Sequence, residues 1–161
     1  MIAEHLDRLA GGRNFEIRIA EELRIHPRTR RAFNAVVWIL CAELLVGSVA
    51  IVVGVVLAMA GESVSWAVWF RGLVVFGITV TLFYFVWRAV VGYYWAYSRL
   101  RLFSSIFPIV TLVIAAIPGM YPFWMIAQQV FFSFLLFGVA SILWSDHMRK
   151  AFAKPARRAL V

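Results

Sequence analysis

The chain has one cysteine, Cys41, and few charged residues, which are 15% of its 161 positions against about 25% in soluble domains. A single cysteine cannot form an intrachain disulfide or a thiolate metal site. The three histidines, His5, His26 and His147, lie outside the long apolar stretches, so none is available to bind haem within a membrane. We therefore expect neither a metal nor a cofactor.

Sequence signatures of common active sites are also missing. The chain contains no glycine-rich phosphate loop, no HExxH motif and no G-x-S-x-G motif. Glu43 is the only carboxylate inside a long apolar stretch, and an acid–base pair within a membrane needs a second titratable group nearby. We expect that the protein is not an enzyme.

Apolar residues are abundant, at 63% of the chain against about 45–50% in soluble domains. Four stretches come close to or exceed the roughly 20 helical residues that cross a bilayer. The predicted fold is all-α, a polytopic membrane protein with four transmembrane helices in two hairpins, at about 32–59, 65–88, 102–117 and 123–144. Residues 1–31 are predicted to be a cytoplasmic or interfacial amphipathic leader, and residues 145–161 a basic cytoplasmic tail.

Positive charge falls almost entirely on one side of the four stretches. Fifteen of the sixteen Lys and Arg residues share that side, and Arg71 alone lies toward the other. Because basic flanking residues stay cytoplasmic, we predict an integral plasma (inner) membrane protein with both termini in the cytoplasm. The basic residues crowd the ends of the stretches, which favours anionic lipid headgroups over nucleic acid as partners. The predicted headgroup contacts are Arg28, Arg30, Arg31, Arg99, Arg101, Arg149 and Lys150.

The leader has two possible local structures. Phe15, Ile19 and Leu23 are spaced four apart, which predicts a helix with one apolar face on the membrane. The alternation of Phe15, Ile17 and Ile19 fits a strand nearly as well. The good helix formers at 20–23 favour the helix.

The third apolar stretch is short and contains Pro108, which predicts a kinked or tilted helix. The aromatic residues at 89–98 before it have two interpretations. They either extend the second helix into the cytoplasm or lie in the membrane interface, where Tyr and Trp are enriched.

Glu43 lies far from both ends of the first apolar stretch. A charged carboxylate at that depth costs a few kcal/mol, and such residues usually face protein or water. The helical face that contains Glu43 is formed by small residues, which allow a second helix to approach closely. This predicted packing face comprises Gly47, Ala50, Gly54 and Ala58.

The depth of Glu43 in the first hairpin predicts a contact with Tyr84 or Arg88 of the second helix. Arg88 would keep the carboxylate ionised, whereas Tyr84 alone would leave desolvation to favour the protonated form. Two roles stay open, a buried polar contact between helices and the handling of a proton or cation.

Arg71 lies about six residues inside the far boundary of the membrane, at the depth of Gln128 and Gln129 in the fourth helix. Its long side chain could reach outward to the headgroups. Alternatively, the three residues form a polar cluster that binds an anionic headgroup or lines a path for a solute.

Three functions are compatible with this pattern. The first is an accessory, assembly or scaffold subunit of a larger membrane complex, with other membrane subunits or further copies of the chain as partners. The second is a small oligomeric transporter or channel that couples protons or cations through Glu43. The third is a protein that binds or modifies membrane lipids.

Overall fold

The computed structural model describes residues 17–119 and 121–153, and this part of the chain is helical apart from residues 17–20, the connections between helices and the last two residues. The predicted membrane contact of Phe15, the first sixteen residues of the leader and the tail beyond residue 153 lie outside the described residues. The helices are α1 (Glu21–Ile25), α2 (Pro27–Met59), α3 (Trp66–Val90), α4 (Tyr94–Ala115), α5 (Phe123–Leu143) and α6 (Asp146–Ala151). Four of them, α2 to α5, are long and apolar enough to cross a membrane. The all-α class is confirmed, and so are four helices that are long and apolar enough to span a membrane.

Two of the spanning helices begin earlier than predicted. Helix α2 starts at Pro27, where a missing N–H costs nothing, and the His26 Nδ1 atom caps it by accepting the Arg28 N–H at 3.2 Å. Helix α4 starts at Tyr94 and continues through Pro108. The aromatic stretch at 89–98 is therefore divided between the end of α3, a short turn and the first turns of α4.

The spanning helices are arranged in a ring. Helix α2 packs against α3, α3 against α4, α4 against α5, and α5 against α2. We call the end with the α3–α4 connection the basic end, and the end with the other two connections the opposite end. Each connection contains a glycine with positive φ, a conformation that other residues adopt at a cost. These glycines are Gly61 (φ 84°), Gly92 (φ 106°) and Gly119 (φ 76°).

The hydrophobic core lies toward the basic end. Large side chains from α2, α3, α4 and α5 meet there, and Trp95 and Tyr97 from the start of α4 are almost fully buried. The Tyr97 hydroxyl donates to the Leu143 carbonyl oxygen at 2.6 Å. These two aromatic residues are therefore part of the core.

Helix α6 folds back onto this core. The Phe152 ring stacks on the Tyr97 ring with centroids 4.2 Å apart and meets the Phe33 ring edge-on at 5.8 Å. Met148 is also fully buried. The first part of the predicted tail is thus a packed element of the fold.

The leader follows a different path from the one predicted. Residues 17–20 are not helical, and they pair with the α3–α4 connection. The Tyr94 N–H donates to the Ile17 carbonyl at 3.1 Å, and the Ile19 N–H donates to the Gly92 carbonyl at 3.0 Å. The helix predicted through Ile19 is wrong at these residues, because the connection offers backbone groups whose pairing outweighs helix propensity.

Gly92 allows the leader to dock. A Cβ atom there would lie 3.5 Å from Arg24 Cδ and 3.6 Å from Ile19 Cγ1, at a φ that a branched residue avoids. We expect Gly92→Val to cost about 1–2 kcal/mol and to loosen the leader. Limited trypsin digestion should then cut after Arg18 and Arg24 faster than in the wild type.

The matched control is Gly77→Val, because Gly77 is helical and has no neighbouring atom within 4 Å in the described structure. This variant should be cut at the wild-type rate. Equal cleavage of both variants would contradict a role for Gly92 in docking the leader.

Candidate functional site

Arg71 extends across the bundle from α3 to α5. It lies five residues after the start of α3, about 7.5 Å along the axis. Its guanidinium group donates to the Met125 carbonyl at 3.3 Å and to the Gln129 Oε1 atom. The Arg71 Cζ atom also lies 5.4 Å from the centroid of the Tyr121 ring. The side chain is directed into the protein and does not simply reach out to the headgroups.

Gln129 joins Arg71 to α4. It is 3% exposed, and its Nε2 atom donates to the Thr111 hydroxyl at 2.6 Å and to the Ser133 hydroxyl at 3.3 Å. These two bonds orient the amide so that Oε1 faces Arg71. A polar network therefore ties α3, α4 and α5 together near the opposite end.

The sequence-predicted cluster forms only in part. Arg71 and Gln129 come together, whereas the Gln128 amide donates to the Val46 carbonyl of α2 at 3.5 Å. Thr111 and Ser133 were not identified from the sequence. Ser133 follows Gln129 by four residues, and residues at this spacing are neighbours on the surface of a helix. This spacing was the one feature of the sequence that indicated a contact between the two side chains.

The hydrogen-bond acceptors of Arg71 are neutral. They are a backbone carbonyl and a side-chain amide, and within the described residues no carboxylate forms an ion pair with Arg71. A guanidinium group has five N–H donors, so its donors are not exhausted by these two bonds. The network therefore keeps a net positive charge and can donate to an anion.

Two apolar clefts meet at Arg71. The first cleft, of about 180 Å³, lies between α2, α3 and α5, and its walls include Gly54, Trp69 and Gln128. The second cleft, of about 150 Å³, lies between α3, α4 and the α4–α5 connection. Its walls include Phe70, Val74, Val110, Thr111, Ile114 and Tyr121.

The predicted small-residue face of α2 is largely turned into the bundle. A Cβ atom at Gly47 would lie 3.5 Å from the Phe132 ring, and one at Gly54 would lie 3.7 Å from the Trp69 ring. Ala50 lines the first cleft, whereas Ala58 is exposed. Aromatic side chains of α3 and α5 and the first cleft therefore occupy this face.

Glu43 is buried at 1% exposure, on the stripe of α2 that also contains Phe33, Val36 and Leu40. Among the described residues its Oε1 atom has no hydrogen-bond partner. Neither of the two clefts is lined by Glu43.

The predicted contact of Glu43 with Tyr84 or Arg88 is not among the hydrogen bonds and ion pairs of the described residues. The Arg88 Cζ atom lies 4.3 Å from the centroid of the Tyr93 ring, and the Tyr84 ring lies 6.0 Å from that of Trp87. The reason is the rotation of α3, because its buried face consists of other residues and leaves Tyr84 and Arg88 only partly buried. That buried face comprises Val68, Thr79, Leu82, Phe85, Val86 and Ala89.

Most of the predicted headgroup residues are exposed at the basic end, namely Arg28, Arg30, Arg31, Arg99, Arg149 and Lys150. Arg101 is half-buried, and its Cζ atom lies 4.5 Å from the centroid of the Trp144 ring. Attraction to anionic headgroups stays a prediction for all seven.

Comparisons with protein-family models, with curated proteins and with solved structures find no match. The function therefore has to be inferred from the site.

Proposed function

We propose that this integral membrane protein binds an anionic amphiphile, with the anionic group at Arg71 and an apolar part in the adjoining clefts. One observation carries the proposal. Arg71 lines both clefts, it lies within a helix long and apolar enough to span a membrane, and its hydrogen-bond partners in the described part of the chain are neutral. An ionisable group at such a position usually marks a binding or transport site.

The chemistry of the clefts favours a ligand that is mostly apolar. Besides Arg71, their polar side chains are few, chiefly Gln128 in the first cleft and Thr111 and Tyr121 in the second. A small hydrophilic anion would find too few donors there to replace its hydration shell. An amphiphile places one acidic group at the cation and leaves its hydrocarbon in apolar surroundings.

The ligand would come from the bilayer. The walls of the clefts include side chains on the outer surface of the bundle, such as Leu73 at 71% exposure and Val110 at 46% exposure. Such side chains face lipid in a spanning bundle. An amphiphile can therefore move sideways into either cleft.

The proposal is tested with Arg71→Gln, purified in a mild non-ionic detergent. We expect the variant to bind an anionic lipid about tenfold more weakly, since it loses one charge-assisted interaction. Arg71→Lys should keep part of the affinity, because it retains the charge and loses the planar fork. Bound lipid is measured by native mass spectrometry and by lipid-dependent thermal stability.

The control is Arg18→Gln, which removes a cation at the basic end that lines neither cleft and is not one of the predicted headgroup contacts. It should bind the lipid as the wild type does. Equal binding by Arg71→Gln and the wild type would contradict the proposal.

We also propose that both termini are cytoplasmic and that the clefts lie in the outer half of the plasma membrane. The charge distribution supports this orientation. In a Cys41→Ser background, Ser63→Cys should react with a membrane-impermeant maleimide on intact cells. Ser145→Cys should react only after permeabilisation. Labelling of Ser145→Cys on intact cells would show that the orientation is opposite to the proposed one.

The accessory-subunit role stays a prediction. The small-residue face of α2 is a surface on which a helix of another subunit could pack, but it is largely filled by side chains of the same chain. Purification in mild detergent followed by mass spectrometry tests it directly. Stable co-purification of unrelated membrane subunits would favour this role, whereas a lone chain carrying anionic lipid would favour lipid binding.

A further inference from the structure

We infer that the amphiphile is an anionic lipid with two hydrocarbon chains, which binds with its headgroup at Arg71 and one chain in each cleft. This inference rests on the proposed function. It follows from the shared walls of the clefts, because Arg71 and Val75 line both of them.

Helix α3 separates the two clefts. Trp69, Gly72 and Leu73 line the first cleft, on the side of α2, whereas Phe70 and Val74 line the second, on the side of α4. The Arg71 side chain continues this partition by bridging from α3 to α5. An acidic group at the guanidinium therefore lies at the junction from which both clefts can be reached.

The clefts are similar in size and in chemistry. Their volumes are about 180 and 150 Å³, and hydrocarbon side chains dominate both linings. A ligand with one chain would fill one cleft and leave the other without packing contacts. Two chains attached to one acidic headgroup fill both clefts and satisfy the single cation.

Each cleft can be filled by a side chain without touching Arg71. For the first cleft the variant is Gly54→Leu, since a Cβ atom there makes only an ordinary contact, 3.7 Å from the Trp69 ring. For the second cleft the variant is Val110→Trp, on the α4 wall. The matched controls are Gly77→Leu and Val113→Trp, which add the same bulk at exposed positions outside both linings.

The experiment compares three probes on the purified full-length protein, namely phosphatidate with two chains, lysophosphatidate with one chain, and inorganic phosphate. Filling either cleft should lower the affinity for phosphatidate about tenfold, because the added side chain takes the space of one hydrocarbon chain. Lysophosphatidate should bind to each single variant within about threefold of the wild type, because one cleft stays open. The double variant should lose both lipids, and the controls should lose neither.

The outcomes separate this inference from the function on which it rests. If Val110→Trp leaves phosphatidate binding unchanged while Gly54→Leu and Arg71→Gln both weaken it, the second cleft holds no chain, and the two-chain inference fails while the proposed function stands. If Arg71→Gln binds both lipids as the wild type does, the proposed function fails. If inorganic phosphate competes with phosphatidate as strongly as lysophosphatidate does, the site recognises a free anion and the two-chain inference is overturned.

Thermal unfolding shows whether each variant is folded before its affinity is compared. Where Gly54→Leu or Val110→Trp is not folded, Ile51→Phe and Ile114→Phe replace them, since these residues line the first and the second cleft respectively. The same affinity pattern is expected from this second pair.

Discussion

Phe152→Ala is expected to lower the free energy of unfolding by about 3–5 kcal/mol, the usual cost of truncating a buried aromatic side chain. Phe152 is 2% exposed, and it lies between the Tyr97 and Phe33 rings. Its loss would leave a cavity where α6 covers the core and would release that helix. Thermal unfolding in mild detergent, followed by circular dichroism, measures the effect.

The matched control is Phe134→Ala, which makes the same truncation at a side chain that is 70% exposed on α5. Removing a side chain that faces lipid or detergent creates no internal cavity, so this variant should unfold within a few degrees of the wild type. Similar destabilisation by the two substitutions would show that α6 is not docked on the core.

Glu43→Met is expected to raise the free energy of unfolding by about 1–3 kcal/mol, the cost of a buried polar group that lacks a partner. Within the described residues the Glu43 Oε1 atom has no hydrogen-bond partner, and apolar side chains form the buried stripe on which it lies. Methionine is unbranched and adapts to the space that glutamate leaves. The melting temperatures of the two proteins give the comparison.

Glu43→Gln separates stability from ion coupling. It keeps the size and leaves a polar group buried, so its stability should stay nearer to the wild type than that of Glu43→Met. If the protein is a transporter that uses this carboxylate, both variants would fold and lose activity. Selection for function can retain a residue that lowers stability. Normal cellular function in both variants would rule out coupling through Glu43, and a melting temperature lowered by Met would show that the carboxylate is a structural contact.

Part of the candidate site could be predicted from depth alone. Arg71 and Gln129 lie at matching distances from the opposite end, and the structure joins them by a hydrogen bond. Depth does not give rotation about the helix axis, so the position of Gln128 against α2 could not be predicted. The same missing rotation explains the failed pairing of Glu43 with Arg88, because a turn of α3 moves every side chain to another neighbour.

The class of this protein follows from its amino-acid sequence alone, since an apolar run of about 20 residues has few alternatives to a spanning helix. The sequence also shows which ends of the helices carry the basic residues. Three features could be seen only in the folded chain. Ile17 and Ile19 pair with the α3–α4 connection, Phe152 enters the core, and two clefts meet at Arg71. Run length and charge are local properties of the chain, whereas these contacts depend on how helices far apart in sequence rotate and pack against one another.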